Sequence, residues 1–503
     1  MSEKNINLFK MACNNLLSSL DISTLRAYGR QVGVFRPTEK NKEPLIEEII
    51  KIHIGELQPI IPNRRGAPVK NKTVNPSIEK EIQKLRIIYL CAPSEDAKTE
   101  PVYGDPDYDF KKSYAELKDK RVYLRLEDGA ASEIDENGER RVHVGQLARL
   151  NSVSMLLPLN GMDSDEKVVI SEEFISHFDI REGDVVSCYC QKAQDFYVTT
   201  TVLKINGASV NNVCRINFEE REACYPIHRI NVYEKERFAS TTSKFFQWIS
   251  PIGKGQRAVV VSSPKAGKTR LLQEIVKAAT QLNEELTTLV LLVDQSYEAV
   301  AEYRNIVEKD NLAYSTYEDD PDRQVFVADF LLKRAKSLAE CGQNVLLVVD
   351  SFNALASAYN ETDASAGGKM LPCGLENKTL RYLKKYLGTA RCFVRGGSLT
   401  ILGAVSVSTG NPADDYIAAE LTDLANLNVR LSDALAMKRI YPALDLNGVI
   451  AQQKDLLQTK TEQDFENYLR TQYLPNSGAT VFLEELKAAK TYEDLIRSIC
   501  KIK

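Results

Sequence analysis

Four apolar runs, each followed by a turn or a helix-like segment, dominate the chain from about Phe245 onward. They are AVVVSSPKAGKTRLLQEIVKAA, TLVLLVD, NVLLVVDSFNALASAY and SLTILGAVSVST. Runs that are apolar at nearly every position predict strands buried on both faces, which are typical of parallel sheets covered by helices. The pattern therefore predicts an α/β domain with a mainly parallel sheet.

The first of these runs contains a phosphate-binding pattern. Residues Ser262 to Thr269 match G-x-x-x-x-G-K-[ST] at every fixed position except the first, where Ser262 replaces glycine. Since the run follows a predicted strand and opens a predicted helix, backbone N–H groups can cradle phosphates there. Lys268 would reach the β and γ oxygens of ATP, and the Thr269 hydroxyl would ligate Mg²⁺. The residues predicted to bind the nucleotide are Ser263, Pro264, Lys265, Ala266, Gly267, Lys268, Thr269 and Arg270.

Such a loop needs an acid at the end of a neighbouring strand to hold Mg²⁺ through water. Asp350 ends NVLLVVD and is predicted to complete the metal site with Thr269, while Asp294 ends TLVLLVD and is the alternative. Strand-end aspartates also cap helices, so that role stays open for both. Hydrolysis further needs a carboxylate to polarise water, yet Gln295 follows Asp294, and an amide cannot take a proton from water.

Length and composition indicate several domains outside the membrane. A chain of 503 residues exceeds the size at which one core keeps growing. With 43% hydrophobic and 27% charged residues, it has no apolar run near the ~20 residues that cross a bilayer. The segment MSEKNINLFK lacks the apolar core of a signal peptide, which favours the cytoplasm. Ten cysteines without a CxxC pair and four histidines argue against a zinc site.

Residues 1–57 are predicted to form a small helical unit. Asp21 and Ser23 are candidate helix caps, Gly33 is a natural stop, and Pro44 can occupy the first turn of LIEEIIKIHI. The pattern is similar to SAP-type modules, which are often found on nucleic acids. A helical docking element is the alternative.

Residues 58–150 are interpreted as a basic linker and an irregular insertion. Four prolines interrupt residues 58–76, and the stretch RRGAPVKNK has no acid although the whole chain carries a net charge of -4. Arg64, Arg65 and Lys70 are predicted to contact nucleic acid, because RRGAPVK resembles a minor-groove arm of the AT-hook kind. A solvated linker is the alternative. No function is predicted for residues 77–150.

Residues 151–235 are predicted to form a small OB-like barrel. The runs KVVISEEF, DVVSCYC and FYVTTTVLKI alternate between apolar and polar residues, and REGD and NGAS separate them as turns.

Together these segments resemble the Rho family of bacterial transcription terminators, which are hexameric RecA-type RNA translocases. The resemblance is carried, in order, by SPIGKGQR, SPKAGKTRLLQ, LLVDQSYEAVAEY, VVDSFNALASAYN, GKMLPCG, GGSLTILGAVSVSTG and KRIYPALDLN. It implies that residues 236–503 form a RecA-type ATP-binding domain with a helical C-terminal tail, and that the chain forms a hexameric ring on RNA. By position, Tyr441 would pack on adenine, and Lys369 would touch RNA from a central-pore loop.

The chain departs from the family at the positions that drive hydrolysis. Gln295 replaces the catalytic glutamate, Ser296 replaces the arginine beside it, and Gln452 falls on the inter-subunit arginine finger, although Arg439 is kept. Because an arginine finger is worth about 10³ to 10⁵ in rate, hydrolysis is expected to be slow or absent. Other family positions for basic residues carry Ala354, Ser357, Pro412 and Asp433. The residues predicted to serve catalysis are Lys268, Gln295, Asp350 and Arg439.

The barrel segment departs as well. It lacks the G-[FY]-G-F-L-R stretch on which the family stacks bases, and the tyrosine that the family carries upstream of the REGD turn is replaced near Val169. Since stacking contributes roughly 1 to 3 kcal/mol per base, this RNA surface is expected to be degenerate.

Three functions remain open. The first is a Rho-like terminator that binds ATP, Mg²⁺ and nucleic acid as a ring but hydrolyses and translocates poorly. The second is a nucleotide-gated regulatory or structural paralogue that co-assembles with or modulates an active Rho. The third is an active RNA translocase that uses substitute groups such as Glu298, Glu302 or Arg439. RNA, DNA at the N-terminal unit, further copies of the chain, RNA polymerase and another Rho are the predicted partners.

Overall fold

The computed structural model describes residues 10–57 and 140–500, with short gaps that include 163–165, 211–212, 363–368 and 395–396. Two compact units divide the chain, Met1–Tyr103 and Gly104–Lys503. The predicted nucleic-acid residues Arg64, Arg65 and Lys70 lie outside the described ranges. Within those ranges, no helix combines the length and the apolar character that crossing a membrane requires.

The N-terminal unit is helical. Its elements are α1 (Ile22–Val32), a 3-10 turn (Pro37–Glu39) and α2 (Lys42–Ile54). The Asp21 carboxylate accepts the backbone N–H of Ser23 and of Thr24, both at 3.1 Å, so Asp21 caps α1 as predicted. Ser23 lies inside the first turn instead of capping it. Residues Leu25, Tyr28, Leu45 and Ile49 are fully buried and form the core between the two helices.

The second unit begins with an OB-like barrel. Its elements are β1 (Arg140–Leu150), β2 (Val153–Leu157), β3 (Val168–Val169), α3 (Glu172–His177), β4 (Val185–Ala193), β5 (Phe196–Ile205) and β6 (Ala208–Ser209). The strands follow the order β3-β2-β1-β4-β5-β6, and a parallel pairing of β3 with β5 closes the barrel. Asn206 and Gly207, both at positive φ, form the predicted tight turn between β5 and β6.

The bounds of the barrel differ from the prediction at both ends. Strand β1 covers residues 140–150, which the sequence assigned to the irregular insertion. Its alternation is hidden because Val144 is 45% exposed whereas the polar Gln146 is fully buried and donates to the Phe330 carbonyl at 2.7 Å. At the other end, residues 223–224 form a two-residue strand of the second sheet, too short for a periodic signal.

A nine-stranded sheet forms the α/β core. Its strands are β7 (Ala223–Cys224), β8 (Arg257–Ser262), β9 (Leu286–Gln295), β10 (Leu312–Thr316), β11 (Asn344–Asp350), β12 (Arg391–Phe393), β13 (Ser398–Ser406), β14 (Leu427–Arg430) and β15 (Ile450–Ala451). The order is β10-β9-β11-β13-β8-β14-β15, and every pair from β10 to β14 is parallel. The predicted mainly parallel α/β sheet is confirmed.

Helices cover both faces of this sheet. They are α4 (Thr241–Trp248), α5 (Lys268–Leu282), α6 (Tyr297–Arg304), α7 (Pro321–Glu340), α8 (Phe352–Glu361), α9 (Asn377–Gly388), α10 (Pro412–Leu424), α11 (Asp433–Met437), α12 (Lys460–Tyr468), α13 (Leu474–Ala488) and α14 (Tyr492–Cys500). In β8, Ala258 and Val260 enter one hydrophobic cluster while Val259 and Val261 enter the other. Burial on both faces explains why these strands are apolar throughout.

The barrel is anchored to α7 through buried polar groups. Asp184, which is fully buried, pairs with Arg215 and accepts hydrogen bonds from Asn206 at 3.0 Å and from Ser337. A Cβ added to Gly183 would lie 2.4 Å from the Lys333 carbonyl oxygen, so the REGD turn touches the α7 backbone directly. This contact fixes the position of the barrel on the α/β core.

Candidate nucleotide-binding site

The phosphate-binding pattern forms a tight loop between β8 and α5. The loop runs from Ser263 to Gly267, and Lys265 and Gly267 have φ values of 65° and 99°. Glycine adopts this left-handed backbone without strain, which explains its place before the helix. The first N–H groups of a helix have no intrahelical partner, and phosphates bind to such donors.

Lys268, the first residue of α5, extends toward the end of β13. Its Nζ donates a 2.6 Å hydrogen bond to the Ser406 hydroxyl. Burial lowers the pKa of Lys268, while Asp350 and Asp414 oppose this change. A phosphate beside the amine would favour its charged form in the same way.

Thr269 and Asp350 meet as the sequence predicts. The Thr269 hydroxyl donates a 2.9 Å hydrogen bond to the carboxylate of Asp350, which is 1% exposed at the end of β11. Burial raises the pKa of Asp350 against the opposing effects of Thr269 and Lys268. A hydroxyl and a carboxylate are the hard oxygen donors that Mg²⁺ takes, so these two residues fit the predicted ion. Asp294 is exposed instead, which leaves Asp350 as the better candidate.

Gln295 lies beside the same strand end. Its Nε2 donates to the carbonyl oxygens of Val293 at 3.3 Å and of Asp350 at 3.4 Å. The next residue, Ser296, caps α6 by accepting the N–H of Ala299 at 3.3 Å. These two polar residues therefore hold local backbone structure and leave the strand end without a carboxylate at position 295.

A cavity of about 670 Å³ opens beside the loop. It is lined by Lys265, Gly267, Lys268, Thr269, Arg270, Gln273, Glu302 and Asn305. Glu302 accepts a 2.8 Å hydrogen bond from Gln273 and so places a carboxylate in this cavity. Glu298 lies one turn earlier on α6, where hydrogen bonds from its own backbone and from Ser296 lower its carboxyl pKa and weaken it as a base.

A second cavity of about 240 Å³ lies on the other side of Gly267. Its lining includes Arg270, Leu431 and Tyr441, and the Tyr441 ring lies 3.2 Å from the place where a Gly267 Cβ would be. The ring is 46% exposed. A partly exposed aromatic face beside a phosphate loop suits a flat base such as adenine.

Three other predicted residues lie at the surface of the chain. Arg439 is exposed with a φ of 57°, two residues before Tyr441. Gln452 is exposed just after β15, and Lys369 is exposed beside α9. None of the three lines either cavity described above.

One contact of the loop has no sequence prediction behind it. The Ser263 hydroxyl donates a hydrogen bond to the carboxylate of Asp433, the first residue of α11. Ser406, the partner of Lys268, was likewise missed. No sequence pattern pairs Ser406 with Lys268 or Asp433 with Ser263; Ser406 ends β13 and Asp433 follows β14, and both of these strands neighbour β8.

The chain is similar to known nucleotide-binding domains. The family model of the ATP synthase alpha/beta family, nucleotide-binding domain, matches residues 243–450. Among solved structures, an ATPase from the type III secretion system of pathogenic bacteria is 18% identical with a TM-score of 0.44, covering 51% of this chain and 82% of that chain. The ATP synthase subunit NeqB from Nanoarcheaum equitans is 16% identical with a TM-score of 0.46, covering 57% and 78%.

Sequence relatives extend over more of the chain. The transcription termination factor Rho of Karelsulcia muelleri is 32% identical over 307 residues, which are 60% of this chain and 80% of that protein. Rho of Bacillus subtilis is 31% identical over 69% of this chain and 82% of its own length. Rho of Chromobacterium violaceum is 32% identical over 66% and 79%. The chain therefore belongs to the Rho family of transcription termination factors.

Proposed function

We propose that this protein is a Rho-type transcription termination factor that binds ATP with Mg²⁺ and nucleic acid as a hexameric ring in the cytoplasm, with impaired hydrolysis and translocation. The proposal is carried by one observation. The groups that hold phosphate and metal, Lys268, Thr269 and Asp350, lie together, whereas Gln295 occupies the strand end beside them.

Binding is supported by both sides of the loop. Lys268 and the start of α5 offer positive groups to the phosphates, and Tyr441 offers a ring to the base. The oxygens of Thr269 and Asp350 would hold Mg²⁺, which would shield the phosphate charge.

Impaired hydrolysis is supported by two substitutions. The Gln295 amide can orient a water molecule, but it cannot accept its proton. Gln452, at the family position of the arginine finger, is uncharged and could not neutralise the transition state from a neighbouring subunit.

A second candidate, an active RNA translocase with substitute groups, is favoured by one contact. Glu302 lines the cavity that Lys268 and Thr269 also line, so a carboxylate is present within the site. Its hydrogen bond from Gln273 would have to break or tilt before it could serve as a base.

Two measurements on the full chain separate these candidates. ATP affinity is measured by titration calorimetry, and ATP turnover is measured with and without C-rich RNA. The proposal expects ATP binding that Lys268→Ala abolishes, together with little or no RNA-stimulated turnover. Brisk turnover that Glu302→Gln removes would establish the translocase instead. Absence of ATP binding in the unmodified chain would overturn both.

For the nucleic acid, RNA is the proposed ligand, with DNA as the alternative at the N-terminal unit. Lys369 and the basic residues Arg64, Arg65 and Lys70 are the proposed contacts, and RNA polymerase or a second Rho are proposed protein partners. Arg64→Ala with Arg65→Ala should weaken binding and flatten its dependence on salt, because fewer counterions are released. Unchanged affinity and salt slope would leave this segment a linker.

A further inference from the structure

The contact between Ser263 and Asp433 follows from the pairing of two strands. Strands β8 and β14 are parallel, with Val261 opposite Arg430, and the Leu431 N–H donates to the Val261 carbonyl at 3.0 Å. The chain then leaves β8 at Ser263 and reaches α11 at Asp433 on the same edge of the sheet. This register brings the carboxylate onto the phosphate loop.

The carboxylate is an anion at a site built for anions. Ser263 donates its hydroxyl to Asp433, so the negative charge lies one hydrogen bond from the loop that would cradle the phosphates. Two cations line the cavity beside the loop, Lys268 and Arg270, and Arg270 already forms an ion pair with Glu274 at 3.6 Å. Asp433 therefore opposes part of the positive charge that the loop offers.

We propose that Asp433 lowers the affinity of the loop for nucleoside triphosphate relative to nucleoside diphosphate. The inference rests on the proposed binding of ATP at this loop. Repulsion grows with the charge of the ligand, so ATP is affected more than ADP, and adenosine is not affected. At a partly exposed site, a unit charge several ångströms away changes affinity by about three- to tenfold.

The test is the affinity of the full-length protein for Mg-ATP, Mg-ADP and adenosine, measured by calorimetry. Asp433→Asn should raise ATP affinity about three- to tenfold, raise ADP affinity less and leave adenosine unchanged. The gain should shrink at high salt, because screening weakens exposed charges. Asp423→Asn is the matched control, since Asp423 is also exposed but lies in the last turn of α10, beside Leu424, whose carbonyl accepts from Arg257 at the start of β8 and not at its loop end.

Ser263→Ala separates charge from hydrogen bonding. This variant removes the hydroxyl and keeps the carboxylate, so ATP affinity should not rise. If Ser263→Ala and Asp433→Asn raised ATP affinity equally, the hydrogen bond and not the charge would limit binding. This result would overturn the proposal. A loss of ATP affinity in Asp433→Asn would make the carboxylate a positioning or metal group, with the same consequence. If the unmodified chain binds neither ATP nor ADP, the proposed function fails instead.

Discussion

The Thr269 hydroxyl and the Asp350 carboxylate are joined by a 2.9 Å hydrogen bond that links the start of α5 to the end of β11. Because such a partner orients the metal-binding group, Asp350→Asn should raise the Mg²⁺ concentration needed for half-maximal ATP binding by about 10- to 100-fold. The measurement is ATP affinity across a Mg²⁺ titration. Asp294→Asn, at the exposed end of the neighbouring strand, is the control and should leave the titration unchanged. Equal losses in both variants would contradict the assignment of Asp350.

Restoring the missing charges should raise turnover. Gln295→Glu supplies a carboxylate that can accept a proton, and in the proposed ring Gln452→Arg would supply a cation to a neighbouring subunit. We expect the double variant to hydrolyse ATP at least about 100-fold faster than the unmodified chain, since a finger alone is worth about 10³ to 10⁵. Steady-state phosphate release checks this. An unchanged rate with intact ATP binding would show that other parts of the site limit hydrolysis.

The Tyr441 ring should contribute to the choice of base. Tyr441→Ala should weaken ATP binding by about three- to tenfold, since an aromatic contact contributes about 0.5–1.5 kcal/mol beyond its buried area. Tyr441→Phe keeps the ring and should bind ATP as before. Competition between ATP and inorganic triphosphate is the readout, because only ATP has a base to lose. An equal effect on both ligands would mean that the variant disturbs the loop.

These residues differ in how far the sequence alone could predict them. Lys268 and Thr269 belong to one short motif, and Asp350 ends an apolar run, so local pattern was enough to single out all three as candidates. Asp433 lies 170 residues from Ser263, and only the register of β14 beside β8 brings them together. A pairing of that kind has no signature in a single sequence.

The fold also contains some elements that a local pattern predicts and others that it does not. Unbroken apolar runs indicate buried parallel strands, and the sheet was predicted from them. Strand β1 was missed because its buried Gln146 donates to the Phe330 carbonyl on α7, which a pattern of apolar residues cannot reveal. Polar side chains at interfaces between domains carry information that hydrophobic periodicity leaves out.

Asp184 should be needed for stability at the interface between the barrel and the α/β core. Asp184→Asn removes the nearer of the two carboxylates that pair with the buried Arg215 and leaves only Glu340, at 4.0 Å, so we expect a loss of about 3–5 kcal/mol. Thermal and urea unfolding would measure this loss in the free energy of unfolding, with one spectroscopic probe placed in the barrel and another in the α/β core. Asp179→Asn, which removes a 71% exposed carboxylate paired with Arg181, should cost under about 1 kcal/mol. Similar losses in the two variants would contradict the role of burial.

Glu466 should make stability depend on acidity. Burial raises the pKa of this carboxyl, but hydrogen bonds from Lys454, Gln458 and Arg470 outweigh it, and the net pKa lies below the ordinary 4.5. The carboxylate therefore stabilises the fold fully above pH 4.5, and this contribution is lost as the pH falls through the lowered value.

Glu466→Gln tests this dependence. At pH 7 the variant should be less stable by about 1–3 kcal/mol, because charged hydrogen bonds are lost. Melting temperatures of both proteins, measured from pH 7 to pH 3, should converge at the acid end. A difference that stays constant or widens toward pH 3 would contradict the lowered pKa.

The close fit of Gly183 against Lys333 has a mechanical consequence. A barrel whose turn touches the α7 backbone, with a buried carboxylate beside it, cannot rotate about this turn without breaking both contacts. A displacement of α7 should therefore move the barrel with it, because Gly183 and Asp184 both contact this helix.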